Sequence, residues 1–129
     1  MLSVDCWLPV ESNHERRYLV LIKQLVERLA RRGRELVLHK PMLDILYPNE
    51  RRYVRPDVLL KAGMRLMAIE ILGYDDQEYL ERKKGMAEVI RRHAAYHDVE
   101  AFGERSSDAQ RISQNALLAK IGSWVSTCL

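Results

Sequence analysis

The chain has 129 residues, room for one domain with a sizeable core and no more. With 47% apolar and 30% charged residues it fits a soluble globular protein, and no apolar run approaches the roughly 18–20 residues that a membrane span needs. The net charge of +3 is a mild basic balance, compatible with a nucleic-acid partner but not diagnostic of one.

Residues 1–10 read as an extended arm with Trp7 and Pro9. An early acid, with no basic stretch before a long apolar run, argues against a secretory signal. Ser12 or Asn13 can cap a helix that runs to Arg32, and Ser12-Asn13-His14-Glu15 fits a capping box. Gly33 stops that helix. Its inward stripe is Tyr18, Leu19, Ile22, Val26 and Leu29, and Glu15 projects onto the N-terminal end of the same stripe. Glu15 can therefore serve as a cap, as a third acid facing a site, or as both.

Residues 35–39 (ELVLH) read as a short strand, and residues 41–50 as a loop or broken turn containing Pro41 and Pro48. Pro56, which has no N–H to give to a ladder, suits the start of the next strand. Val58-Leu59-Leu60 and residues 66–72 are apolar runs of strand length, parted by Ala62-Gly63. A loop of two or four residues places Asp57 opposite Ala68. Glu70 then lies on the same face, one diagonal step away, about 7–8 Å at Cα. An odd loop puts the two acids on opposite faces. Met67, Ala68, Ile69, Ile71 and Leu72 mark a strand buried on both faces. Within it, Glu70 must be protonated, paired or bound to a metal. The structural alternative is a strand-end Glu paired with an arginine.

Gly73 ends that strand, and Asp75-Asp76 can cap a helix over residues 77–97. Tyr79, Lys83, Met86, Ile90, Ala94 and His97 form one stripe of it. Lys83 lies inside the stripe and Lys84 about 100° away on its flank. Lys83 can bring a positive charge to a carboxylate site, or it can snorkel with its amine in water. His93 and His97 stand four apart, but no cysteine or acid cluster completes a zinc site, so surface histidines at a helix end are expected. Residues 97–102 can form one more short strand. A last helix, capped by Ser106, Ser107 or Asp108, runs to about Thr127 with Ile112, Leu117, Ile121 and Trp124 as its apolar side. That side closes the domain's own core or offers a contact surface. Cys6 and Cys128 show no metal-ligand spacing and are expected as reduced thiols in a cytoplasmic protein. The order is α-β-β-β-α-(β)-α, a single α/β (α+β) domain over residues 1–129.

Arginines recur in clusters, among them Arg51-Arg52-Arg55 and Arg82-Lys83-Lys84, with Tyr47, Tyr53, Tyr74 and Tyr79 interleaved. Such clusters are either solvated helix faces or phosphate contacts. A helix carrying an acid, a strand, Arg55-Pro56-Asp57 before Val58-Leu59-Leu60, a short turn, a strand with Ile69-Glu70 and Gly73, and a helix with Tyr79 and Lys83 follow one another. In that order the chain resembles the PD-(D/E)XK nuclease superfamily over about residues 11–98. The usual lysine stands two residues after the Glu, where this chain has Leu72. Here it is similar to the restriction-endonuclease-like variants that move the lysine onto the following helix, among them domains attached to helicases and to proteins of mobile elements.

The resemblance implies a mixed sheet flanked by helices and a Mg²⁺- or Mn²⁺-dependent phosphodiesterase acting on DNA. Asp57 and Glu70 would bind the metal, with a main-chain carbonyl near Ile71 as a further ligand. Lys83 would orient or deprotonate the attacking water or neutralise growing charge. Glu15 would hold a metal-bound water or a second metal. Arg51, Arg52, Arg55, Tyr79 and Lys84 would contact the nucleic acid. A homodimer or a larger DNA-processing complex is the expected setting, and no membrane is involved. Leu72 keeps a second expectation open, an inactive nuclease-fold module that binds nucleic acid or a protein partner.

Overall fold

In the computed structural model, which describes residues 13–128, the elements run α1-β1-β2-β3-α2-β4-α3. The extended arm, Cys6 and the Ser12 cap lie outside the described residues. Helix α1 (Asn13–Arg31) buries Glu15, Tyr18, Leu19, Ile22 and Leu29 along one side, the stripe that the 3.6-residue period predicts. It ends as expected at Gly33, whose φ of +79° suits a residue without a Cβ. The Arg34 amide reaches back to the Leu29 carbonyl and the Gly33 amide to that of Ala30, the paired bonds of a Schellman cap.

Four strands form one mixed sheet in the order β1 (Val37–His39), β2 (Val58–Ala62), β3 (Arg65–Leu72), β4 (Ala95–Glu100). The first two pairings are antiparallel and β3–β4 is parallel. Helix α2 (Gln77–Arg91) makes the crossover that parallel neighbours require. Its N-cap is Asp76, whose side chain accepts the Tyr79 amide at 3.0 Å. Helix α2 is shorter than its apolar stripe suggests. Residues 95–100 instead pair with β3 from Met67↔Ala95 to Leu72↔Glu100, so His97 belongs to a strand and forms no helical pair with His93. Six parallel partners, with the strand formers Tyr96 and Val99 among the paired residues, outweigh one more turn and a half of helix.

Helix α3 (Ser107–Cys128) starts under the Ser106 hydroxyl, which accepts the Ala109 amide at 3.1 Å. Leu117, Ile121, Trp124 and Val125 are buried in it, whereas Ile112 is exposed, contrary to its place in the predicted stripe. Ile112 lies near the start of the helix and outside the main core cluster.

Alternation along β2 and β3 divides the core in two. Val58, Leu60, Ala62, Met67, Ile69 and Ile71 point to the face covered by α1 and α3. Leu59 and Ala68 point to the opposite face, where Val54, Val89 and Ile90 complete a smaller cluster. By the same period of two, Asp57 and Glu70 belong to this second face, under α2.

Candidate active site

The hairpin turn fixes how the two acids meet. The register is Val58↔Ile69 through Ala62↔Arg65, which leaves Gly63-Met64 as a two-residue loop. Gly63 has a φ of +61° and Met64 a negative one, the pattern of a type II′ turn with glycine first. The turn thus sits one residue later than Ala62-Gly63. The loop is even, so the acids share a face, but Asp57 stands across from Glu70 itself rather than from Ala68.

Each acid is braced by the other strand's backbone. The Asp57 amide donates to Glu70 Oε1 at 3.2 Å, and the Ile71 amide donates to Asp57 Oδ2 at 2.8 Å. The second oxygen of each carboxylate is turned toward one point. Lys83 Nζ stands there, 2.8 Å from Glu70 Oε2 and 3.5 Å from Asp57 Oδ1. Lys83 reaches it from the second turn of α2, its amine 5.8 Å from the centre of the Tyr79 ring. The Tyr79 hydroxyl in turn accepts the Gly73 amide at 3.4 Å, tying the helix start to the end of β3.

Burial governs the electrostatics. Glu70 is 1% exposed, and burial followed by the neighbouring Asp57 charge pushes its carboxyl up to about 8, against the opposing pull of Lys83. Burial also works against the charge on Lys83, but Glu70 and Asp57 more than offset it and hold the amine above the ordinary lysine range. Near neutral pH the cluster therefore holds an ammonium and retains a proton on the carboxyl pair. With both acids ionised it carries one negative charge in excess.

Two carboxylate oxygens converging on one point, with that excess charge, fit a small hard cation such as Mg²⁺. Such an ion binds through one or two carboxylates and keeps other positions for water and substrate oxygens. Among the described residues no set of three His, Cys, Asp or Glu side chains gathers closely enough to hold a metal. Glu15, buried on α1, pairs instead with Lys40, which follows β1.

Asp57 and Lys83 open onto a cleft of about 330 Å³. Lys40, Arg52, Arg55 and Arg82 line it as cations, and Tyr53 and Tyr79 as aromatics. The structure thus brings Asp57, Glu70, Lys83, Tyr79, Arg52 and Arg55 together, with Glu15 joined to the cleft through Lys40. Ile71 is buried beside the pair, its amide taken by Asp57. Arg51 is exposed and outside the cleft lining, and Lys84 is exposed beside a separate hollow with Ala87, Tyr96 and Asp98. Lys40 escaped the sequence reading. Its only signal is a lysine standing between a strand and Pro41, and its pairing with Glu15 is a long-range contact.

Asp44, Arg52, Tyr53, Arg55 and Pro56 of the segment 41–56 line the cleft together with α2. An isolated bridge joins Ile45 and Val54. Glu50 accepts two hydrogen bonds from Arg92, each 2.8 Å, and lies 2.8 Å from His93 Nε2. The His93 ring stacks on Tyr47 with centroids 4.6 Å apart. These contacts fasten the segment to the C-terminal end of α2, the helix that carries Lys83.

A family model described as the restriction endonuclease-like C-terminal domain matches residues 11–121. No curated protein matches the chain.

Proposed function

The chain belongs to the restriction endonuclease-like C-terminal domain family, within the PD-(D/E)XK superfamily, and on that premise we propose that it is a divalent-metal-dependent nuclease hydrolysing phosphodiester bonds of DNA. The convergence of Asp57 Oδ1 and Glu70 Oε2 on one cationic point carries this reading. Asp57 and Glu70, with the main-chain carbonyl of Ile71, would hold Mg²⁺ or Mn²⁺. When bound, the ion would polarise the scissile phosphate and lower the pKa of the attacking water.

Lys83 acts as a fixed ammonium. An amine held above its ordinary range is a hydrogen-bond donor and a neutralising charge for the phosphate, and a poor base. Glu15 acts through Lys40, holding that amine at the edge of the cleft. Arg52, Arg55 and Tyr79 face the bound strand from the cleft, and Arg51 and Lys84 extend the basic surface around it. Chain residues 1–129 form one nuclease domain. Among the described residues no helix is long and apolar enough to cross a membrane.

Leu72 is buried at the position of the usual lysine, which is the observation behind a binding-only domain. Lys83 delivers an amine to the same carboxylates from α2, and that supports activity instead. The test is incubation of the purified protein with end-labelled single- and double-stranded DNA in Mg²⁺ or Mn²⁺, beside Glu70→Ala. Cleavage by the wild type alone is expected. Equal cleavage by the variant rejects the site, and salt-sensitive binding without cleavage by the wild type selects the binding-only domain.

A further inference from the structure

Glycine is among the poorest helix formers, yet Gly85 stands in the middle of α2, two residues after Lys83. Its surroundings explain it. A Cβ at this position would lie 2.3 Å from Arg52 Nη1 and 3.2 Å from Arg52 Cζ. The guanidinium therefore rests on the bare backbone of the helix. From there Nη2 lies 3.4 Å from the Arg82 carbonyl. Arg52 comes from the segment that Glu50 fastens to Arg92 and His93, so its main chain is held from the far end of the same helix. The result is a cation set against α2 on the lining of the Asp57–Lys83 cleft, with Arg82 and Arg55 beside it.

Among the described residues no acidic side chain pairs with Arg52, whose guanidinium donates to the Arg82 carbonyl and faces the cleft. Three arginines and Lys40 on the lining of a cleft that also holds Asp44 and the carboxylate–lysine cluster suit a polyanion with a regular spacing of charges. Resting on the nuclease reading above, we propose that Gly85 is a seat for Arg52, and that the seated guanidinium anchors a backbone phosphate of the substrate strand next to the phosphate being cut. Arg52 is the binding residue, and Gly85 acts through it as a positioning residue.

The seat makes a prediction of opposite signs. Gly85→Ala removes a helix-breaking residue, and the atoms it meets are the far end of a flexible side chain, so the fold tolerates it. Its melting temperature rises by roughly 2–4 °C, while its grip on nucleic acid weakens. The probe is a fluorescein-labelled oligonucleotide, single-stranded and duplex, read by anisotropy in Ca²⁺ across a series of salt concentrations. Wild type, Gly85→Ala, Arg52→Ala and the double variant are compared.

Gly85→Ala and Arg52→Ala should each weaken binding about 3- to 10-fold. Each should flatten the slope of log K against log salt by about 0.7–0.9, one phosphate's worth. The double variant should bind no worse than Arg52→Ala. Unchanged affinity and salt slope in Gly85→Ala, with Arg52→Ala weakened, overturns the seat. Unchanged values in both overturn the anchor and leave the nuclease reading standing. A wild type that binds neither oligonucleotide in a salt-dependent way overturns that reading together with this one.

Discussion

Replacing Lys83 by Met removes the ammonium that stands between Asp57 and Glu70 while keeping a side chain of similar stem length. With one proton retained on the carboxyl pair, a single negative charge at the 2.8–3.5 Å contacts of Nζ corresponds to a gross attraction on the order of 5 kcal/mol at an effective dielectric of about 20. Desolvation of the amine offsets most of it, and breaking one side of a buried pair costs about 3–5 kcal/mol net. Lys83 opposes the rise in the Glu70 carboxyl, so its removal holds a proton on Glu70 to still higher pH. The sign follows from that proton. An acid whose folded value is raised is most favourable at low pH, and its contribution is lost as pH climbs from the unfolded value toward the folded one. Lys83→Met should therefore be destabilised by about 3–4 kcal/mol at pH 7, roughly 12–15 °C in melting temperature. Above about pH 8, where Glu70 ionises beside Lys83 in the wild type and stays protonated in the variant, that deficit should widen. Urea unfolding followed by circular dichroism, in a chelator, measures both. A deficit below about 1 kcal/mol at pH 7, or one that does not widen between about pH 7 and pH 9, is the contrary result.

Two further perturbations test the rest of the structure. Tyr18 is fully buried and donates its hydroxyl to both oxygens of Glu104, at 2.6 and 2.8 Å, while Arg17 pairs with the same carboxylate. Tyr18→Phe should cost about 1.5–3 kcal/mol in urea unfolding, since a hydrogen bond to a buried charge is lost. Glu50 is held down to about 2 by its hydrogen bonds to Arg92 and then to His93. Its stabilisation is present above the ordinary value of 4.5 and is lost as pH falls toward 2. Glu50→Gln should flatten the acid limb of the stability curve in that window and leave the neutral region's slope unchanged, as read by acid titration of the circular dichroism signal.

Periodicity carried most of the architecture. The stripe Tyr18, Leu19, Ile22, Leu29 and the stop at Gly33 located α1, because a core-facing helix and a left-handed cap leave local signatures. The hairpin was legible as a pair of strands but not in register. Ala62-Gly63 and Gly63-Met64 both offer a glycine, and only pairing across the ladder chooses between them. Parity survived that slip, which is why the two acids still share a face. The overlong α2 has a different origin. Ala94 and His97 continue the helical stripe, and the deciding partner, β3, is more than twenty residues away. Lys40 and the Arg52–Gly85 contact left no periodic trace, since each joins elements that meet only in the fold.

As proposed above, Asp57 and Glu70 form a divalent-cation site. Titration of the protein with Mn²⁺, followed by electron paramagnetic resonance of the free ion, tests it directly in wild type, Glu70→Gln and Lys83→Met. One bound Mn²⁺ per chain is predicted for the wild type and for Lys83→Met. In Glu70→Gln, an isosteric change that keeps the fold, that binding should be lost. The same bound Mn²⁺ in Glu70→Gln, or none in the wild type, would contradict the account.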